Sequence, residues 1–340
     1  MKKSVFVLMA LLIGAALFMT SCQKKAPTQA AAPAQKVTLS ISHIVNEQNS
    51  WHKASVFFKD QVEKASGGRI EVKIYPNSSV GTELDGINSI VSNAGDVDII
   101  FTGESLGSVI PELTLLGVPY MISGYDHLKK VAEGPIGAGL EKLMIEKANM
   151  RVLGYYTRGP RDITANKPIR TVADLKGFNI RVPASPMHVA AWEALGAKTT
   201  PMAFAEVFTA LQQHTIDGQE NPLAMIQSGN FYEVQKYLCK SEHLISWVYI
   251  VINEAKFQSL PKDLQDIIVK AGKDMQAYEN KLFLEDELTL EKFMTDHGMT
   301  VISDVDKASL ASQMRVGLDP VIQKQYPAVW PLYQQVLQLK

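Results

Sequence analysis

VTLSIS, residues 37–42, alternates apolar and polar side chains with a period of two, the pattern of a strand with one buried face. Trp51, Ala54, Phe57, Phe58, Val62 and Ala65 then fall on one face of a helical segment, which Gly67-Gly68 ends. Ile70, Val72 and Ile74 alternate again, Glu83 to Asn93 suits a second helix, and VDIIF (97–101) is a strand rich in β-branched residues. A β-α-β-α-β order of this kind builds a mostly parallel sheet with helices on both faces.

The pattern restarts after residue 150. RVLGYY (151–156) and FNIRV (178–182) read as strands, with a short helical turn at 172–176 between them. Segments 187–195 and 203–213 read as helices, the second with Phe204, Val207, Phe208 and Leu211 on one stripe. Asn221-Pro222 has the form of a capped start to a long helix running towards Leu238, with Cys239 at its end. LISWVYIVI (244–252) is a near-continuous apolar run, as in a strand buried on both faces, and 261–297 is helical and amphipathic. The expected fold is therefore α/β, two doubly wound domains of 37–158 plus 247–286 and 159–246 plus 287–325, with a C-terminal segment 326–340. The chain crosses between them near 155–160 and 244–250, where a hinge is expected. Ligands of such sheets sit at the carboxyl ends of the strands.

The first residues address the chain. Lys2 and Lys3 precede an apolar run, Val5 to Met19, that is shorter than the roughly 20 residues of a membrane-crossing helix. These are the flanks of a secretory signal, 1–21. Met19-Thr20-Ser21-Cys22 resembles a lipobox, in which the cysteine is acylated and becomes the new N-terminus; the other reading is an ordinary cleaved signal with Cys22 incidental. QKKAPTQAAAPAQK (23–36) is a low-complexity tether with nothing to bury. An extracytoplasmic protein held at a membrane by lipid on Cys22 is the expectation.

With 340 residues the chain has room for about two domains of about 150 each. Its 34 basic and 35 acidic residues balance to a net charge of -1, which argues against nucleic acid as a partner. Cys22 and Cys239 are the only cysteines, so neither a disulfide framework nor a cysteine metal site is expected. There is no G-x-S-x-G elbow, H-E-x-x-H or phosphate loop, and the seven histidines do not pair at metal-ligand spacing. No cofactor and no metal are expected, and the balance moves from catalysis to binding.

Of seven arginines, five fall between residues 151 and 181: Arg151, Arg158, Arg161, Arg170 and Arg181. The planar guanidinium fork matches a carboxylate with two parallel hydrogen bonds. Arg158 and Arg161 lie just past one strand and Arg181 lies near the end of the next, where a doubly wound sheet presents its ligand. Solvated surface charge is the alternative for each, and the more natural one for Arg151 and Arg170.

PMAFAEV (201–207), IDGQENP (216–222) and FYEV (231–234) closely resemble the solute-binding subunits of TRAP transporters, the tripartite ATP-independent periplasmic systems (DctP family, solute-binding protein family 7). The likeness extends to Tyr75-Pro76-Asn77, Leu115 to Tyr120, GPRDITAN (159–166), Asp174-Leu175-Lys176-Gly177 and Arg181-Val182-Pro183, and spans roughly 37 to 325. It implies a two-domain clamshell closing on an organic acid, which is passed to small and large membrane subunits. It also implies that Arg161 forms the principal salt bridge to the ligand carboxylate, that Arg181 and Asn221 reach the same group, and that Phe204 packs near the ligand. Glu104 matches a glutamate that holds sugar hydroxyls, and His43 and Trp51 stand near the expected cleft. Sialic-acid binders carry polar residues where Ile44, Gly107 and Ala184 stand here, so sialic acid is disfavoured. A uronate or aldonate fits best, with a C4-dicarboxylate or 2-oxo acid as alternatives. The competing function class is a secreted sugar-acid enzyme using His43 or Glu104 as base.

Overall fold

The computed structural model describes residues 36–339; the signal segment, Cys22 and the tether up to residue 35 lie outside the described residues. Eleven strands are present among these: β1 (Val37–Ser42), β2 (Ile70–Tyr75), β3 (Ile99–Thr102), β4 (Met150–Thr157), β5 (Arg161–Ala165), β6 (Asn179–Val182), β7 (Lys198–Pro201), β8 (Gly218–Asn221), β9 (Tyr237–Leu244), β10 (Trp247–Asn253) and β11 (Thr300–Ile302). They form a five-stranded sheet of order β2-β1-β3-β10-β4 and a six-stranded sheet of order β11-β9-β5-β8-β6-β7. Helices cover both, giving the two-lobed α/β clamshell.

Neither sheet is wholly parallel. β1 runs parallel to β2 and β3, but β10 runs antiparallel to β3 and β4. In the second sheet β6 is parallel to β7 and β8, while β5 is antiparallel to β8 and β9. The antiparallel strands are those next to the two crossings between sheets, β4 to β5 and β9 to β10. The crossings lie side by side: Arg158 N–H donates to the Ser246 carbonyl at 3.2 Å. The apolar run of β10 lies inside the sheet, between β3 and β4, and is buried along its whole length, with helices packed on both faces of the sheet.

Local patterns explain most helices. On Ser50–Ala65 the residues Trp51, Ala54, Phe58 and Val62 are buried, Phe57 is half-buried and stacks on Tyr278 with ring centres 4.6 Å apart, and Ala65 turns outward. Asn49 caps this helix through the Trp51 N–H. Its partner is the 26-residue helix Lys262–Glu287, which lies against both Ser50–Ala65 and β4. None of the described helices is long and apolar enough to cross a membrane.

Two expectations are corrected. Asn221 ends strand β8, and the helix after it is short, Leu223–Ser228, with Pro222 rather than Asn221 at the cap position. Cys239 lies in strand β9, fully buried, where its Sγ accepts the Ile169 N–H. The Asn-Pro pair satisfies a helix-start pattern, but the Asn221 Nδ2 is committed to the Gln219 Oε1 at 2.5 Å. The polar edge strand β7 has no hydrophobic alternation to announce it.

Candidate functional site

Parallel strands β1, β3, β6 and β8 end at a cleft between the two sheets. Trp51, Phe101, Glu83 and Glu104 line it from the five-stranded lobe, and Arg161, Arg181, Asn221 and Phe204 from the other. Arg158 enters from the crossing.

Arg161 is the first residue of β5. Glu220 of β8 stands opposite Ile163, so Arg161 and Glu220 are diagonal neighbours on one face of the sheet. Arg161 Nε donates to Glu220 Oε2 at 2.5 Å and Nη2 donates to Oε1 at 2.8 Å and to the Glu220 carbonyl at 2.7 Å. Behind them His243 Nε2 donates to Glu220 Oε2 at 2.9 Å while its Nδ1 accepts from Ser241 Oγ. Burial alone would raise the Glu220 carboxyl; the Arg161 charge outweighs it and holds the group well below the usual carboxylate range. His188, 4.0 Å from the same carboxylate, is brought down to about 3 by burial and is neutral.

Arg158 and Arg181 are held differently. Arg158 Nη2 pairs with Glu104 Oε1 and donates to Ser246 Oγ at 2.5 Å, and Ser246 in turn donates to Glu104. Arg181 Nε and Nη2 both donate to the Met202 carbonyl, at 3.0 and 2.6 Å, with no carboxylate in ion-pair reach among the described residues. Burial lowers Arg158 to about 9 and Arg181 to about 10, so both stay cationic at neutral pH. Arg151 and Arg170 are structural, paired with Glu254 and Asp304 away from the cleft.

The cleft gathers Arg161, Arg181, Asn221, Glu104, Phe204 and Trp51, but not His43. His43 is buried behind Phe101, stacked on it at 5.9 Å, and is hydrogen-bonded to His52 at 3.2 Å. Burial, then its neighbour His52, brings it down to about 3, which leaves it an aromatic support rather than a contact or a base. Gly107 is also outside the lining, and a Cβ there would stand 2.6 Å from Thr114 Cγ2, so this backbone has no room for a side chain at 107.

Sequence reasoning missed Glu220, Ser246 and Glu83. Glu220 lies inside IDGQENP (216–222), and the signal was an acid on a strand able to pair with the arginine strand. Among the described residues, no group of three or more His, Cys, Asp or Glu is placed to hold a metal.

The family model described as bacterial extracellular solute-binding protein, family 7, matches residues 41–326. A solute-binding protein of Roseobacter denitrificans is 45% identical over 82% of this chain and 85% of its own length. A solved TRAP periplasmic solute-binding protein from Roseobacter denitrificans with bound L-galactonate superposes with a TM-score of 0.84 at 41% identity, covering 89% of this chain and 99% of that one. One from Haemophilus influenzae with bound L-gulonate superposes with a TM-score of 0.84 at 31% identity, covering 90% and 100%.

Proposed function

The chain belongs to family 7 of the bacterial extracellular solute-binding proteins, the solute-binding proteins of TRAP transporters, and from that premise we propose that it captures an open-chain six-carbon sugar acid by its carboxylate. It is a binding protein, not an enzyme, and it works outside the cytoplasm with membrane subunits as its partners. The observation that carries the ligand reading is Arg181, a buried cation on the cleft wall whose acceptor is a neutral carbonyl. A buried charge without a counter-ion is costly, and a ligand carboxylate supplies one. Arg161 was the expected anchor, but Glu220 occupies its Nε–Nη2 edge. We therefore give Arg181 the first claim on the carboxylate and leave Arg161 its Nη1 edge as a second donor, with Asn221 beside them. Glu104, already fixed by Arg158 and Ser246, can accept sugar hydroxyls, and Phe204 and Trp51 supply apolar contact. L-galactonate and L-gulonate, bound by two similar proteins, are both open-chain aldonates.

The proposed lobes are 37–158 with 247–286 and 159–246 with 287–325, hinged at the crossings around Arg158 and Ser246. In support, the strands of the five-stranded sheet fall in the first set and those of the six-stranded sheet in the second. We also propose that Cys22 is acylated and anchors the protein to a membrane, supported by the Met19-Thr20-Ser21-Cys22 sequence. Cys22→Ser should then release it to the soluble fraction; a wild type that is already soluble refutes the anchor. For the ligand, a thermal-shift screen of organic acids tests the reading, since a ligand at 100 times its Kd adds about 2.7 kcal/mol of stability. Aldonates should raise the Tm most, and a screen in which no sugar acid does so refutes it.

A further inference from the structure

Three arginines and three glutamates surround the cleft, and they do not all neutralise one another. Arg158 is paired with Glu104 and Arg161 with Glu220. Among the described residues, Arg181 and Glu83 are left without an ionic partner, one on each wall. Glu83 opens the helix Glu83–Ser92. Its Oε1 accepts from Thr102 Oγ1 at 2.7 Å and from the Gly103 N–H at 3.4 Å, while its Oε2 has no hydrogen-bond partner among the described residues. Asp85, the next acid along, is turned back on Thr82 in a capping box and takes no part.

Resting on the sugar-acid reading above, we propose that Glu83 is a specificity-determining residue that restricts the cleft to monocarboxylates and excludes sugar diacids and C4-dicarboxylates. With the ligand carboxylate on Arg181, the far end of the chain lies towards the wall that carries Glu83 and Glu104. A terminal hydroxyl there donates its proton to Glu83 Oε2. A second carboxylate has no proton to give and meets two acids, of which Glu104 already holds the nearby cation, Arg158. Closure removes the water that would screen this repulsion, so it acts at close to full strength.

Galactarate, the diacid made by oxidising C6 of galactonate, is a close probe of the effect because the two share chain length and the C2–C5 hydroxyls and differ only in the C6 group. Calorimetric titration of the wild type and of Glu83→Gln at neutral pH should give galactarate at least 100-fold weaker than L-galactonate in the wild type. The ratio should shrink tenfold or more in Glu83→Gln, where the acceptor for Thr102 remains and the charge is gone. Galactarate binding within threefold of L-galactonate in the wild type, or an unchanged ratio in the variant, overturns the proposal. If neither binds, the acid screen separates the two readings. A different monocarboxylate preferred over its own diacid keeps the exclusion while the sugar-acid reading falls, and a diacid as best ligand overturns both.

Discussion

Two glutamates lie almost wholly buried, one behind each wall of the cleft, and they end in opposite states. Glu220, behind the arginine wall, has the Arg161 fork and His243 on its oxygens and stays ionised. Glu279, in the long helix behind Trp51, receives one hydrogen bond, from Ser50 Oγ at 2.9 Å, and its Oε2 has no partner. Burial pushes it up to about 8, so it is neutral at pH 7. The same burial acts on both; the difference is the Arg161 guanidinium first, with the His243 hydrogen bond beside it. Of these two, the glutamate beside the cleft keeps its charge and the one in the long helix keeps its proton.

Arg161→Ala breaks the comparison most severely, because it turns Glu220 into an unpaired buried acid. Stability should fall by about 3–5 kcal/mol, measured by denaturant unfolding. The loss should grow as pH rises, since the orphaned carboxyl must then ionise in place. Arg161→Ala as stable as wild type would mean that Glu220 does not depend on it.

Arg181→Ala should separate binding from folding. Removing this cation leaves no buried acid behind, so unfolding should move little, while sugar-acid affinity drops by about 2–5 kcal/mol in calorimetric titration. Arg181→Lys should recover only part of the loss, because one ammonium cannot present two parallel donors.

Glu279→Gln sharpens the other half. Its folded value of about 8 lies above the ordinary 4.5. Between the two the folded chain keeps a proton that the unfolded chain has released, so stability falls as pH rises through this window. The slope from this group alone is about 1.4 kcal/mol per pH unit. Glu279→Gln should flatten that part of the stability profile, and an unaltered profile would contradict a neutral Glu279.

The smallest effect concerns closure. Asn46, from the first lobe, donates its backbone N–H to Ser228 Oγ at 2.9 Å and its Nδ2 to the Ser228 carbonyl at 3.1 Å, in the second. Asn46→Ala should speed ligand release by a factor that corresponds to about 1 kcal/mol in stopped-flow measurements, with unfolding unchanged.

How far the sequence carried this picture follows from the range of the interactions. Helices that bury one face, 50–65 and 262–287, wrote their period into the chain; 37–42 alternates although its Ser40 and Ser42 are buried as well, and the apolar run 247–252 announced an interior strand. β9 was hidden because Lys240 and Glu242 interrupt its apolar pattern and its register shifts opposite Arg161, with Glu242 at φ 43°. The arginines of the site stood out by their clustering. Their partners did not, because Glu220 is 59 residues from Arg161 and meets it only through strand register. His43 was expected near the cleft, and only the packing of Phe101 over it shows otherwise.

The most direct test of the central claim, that a free Arg181 beside a pre-paired Arg161 holds the ligand, is a crystal structure of the protein with L-galactonate. The ligand carboxylate should sit on the Arg181 guanidinium at hydrogen-bond distance, with the Arg161–Glu220 pair intact behind it. A carboxylate seated on the Nε–Nη2 edge of Arg161 with Glu220 displaced, and Arg181 still turned to Met202 alone, would contradict it.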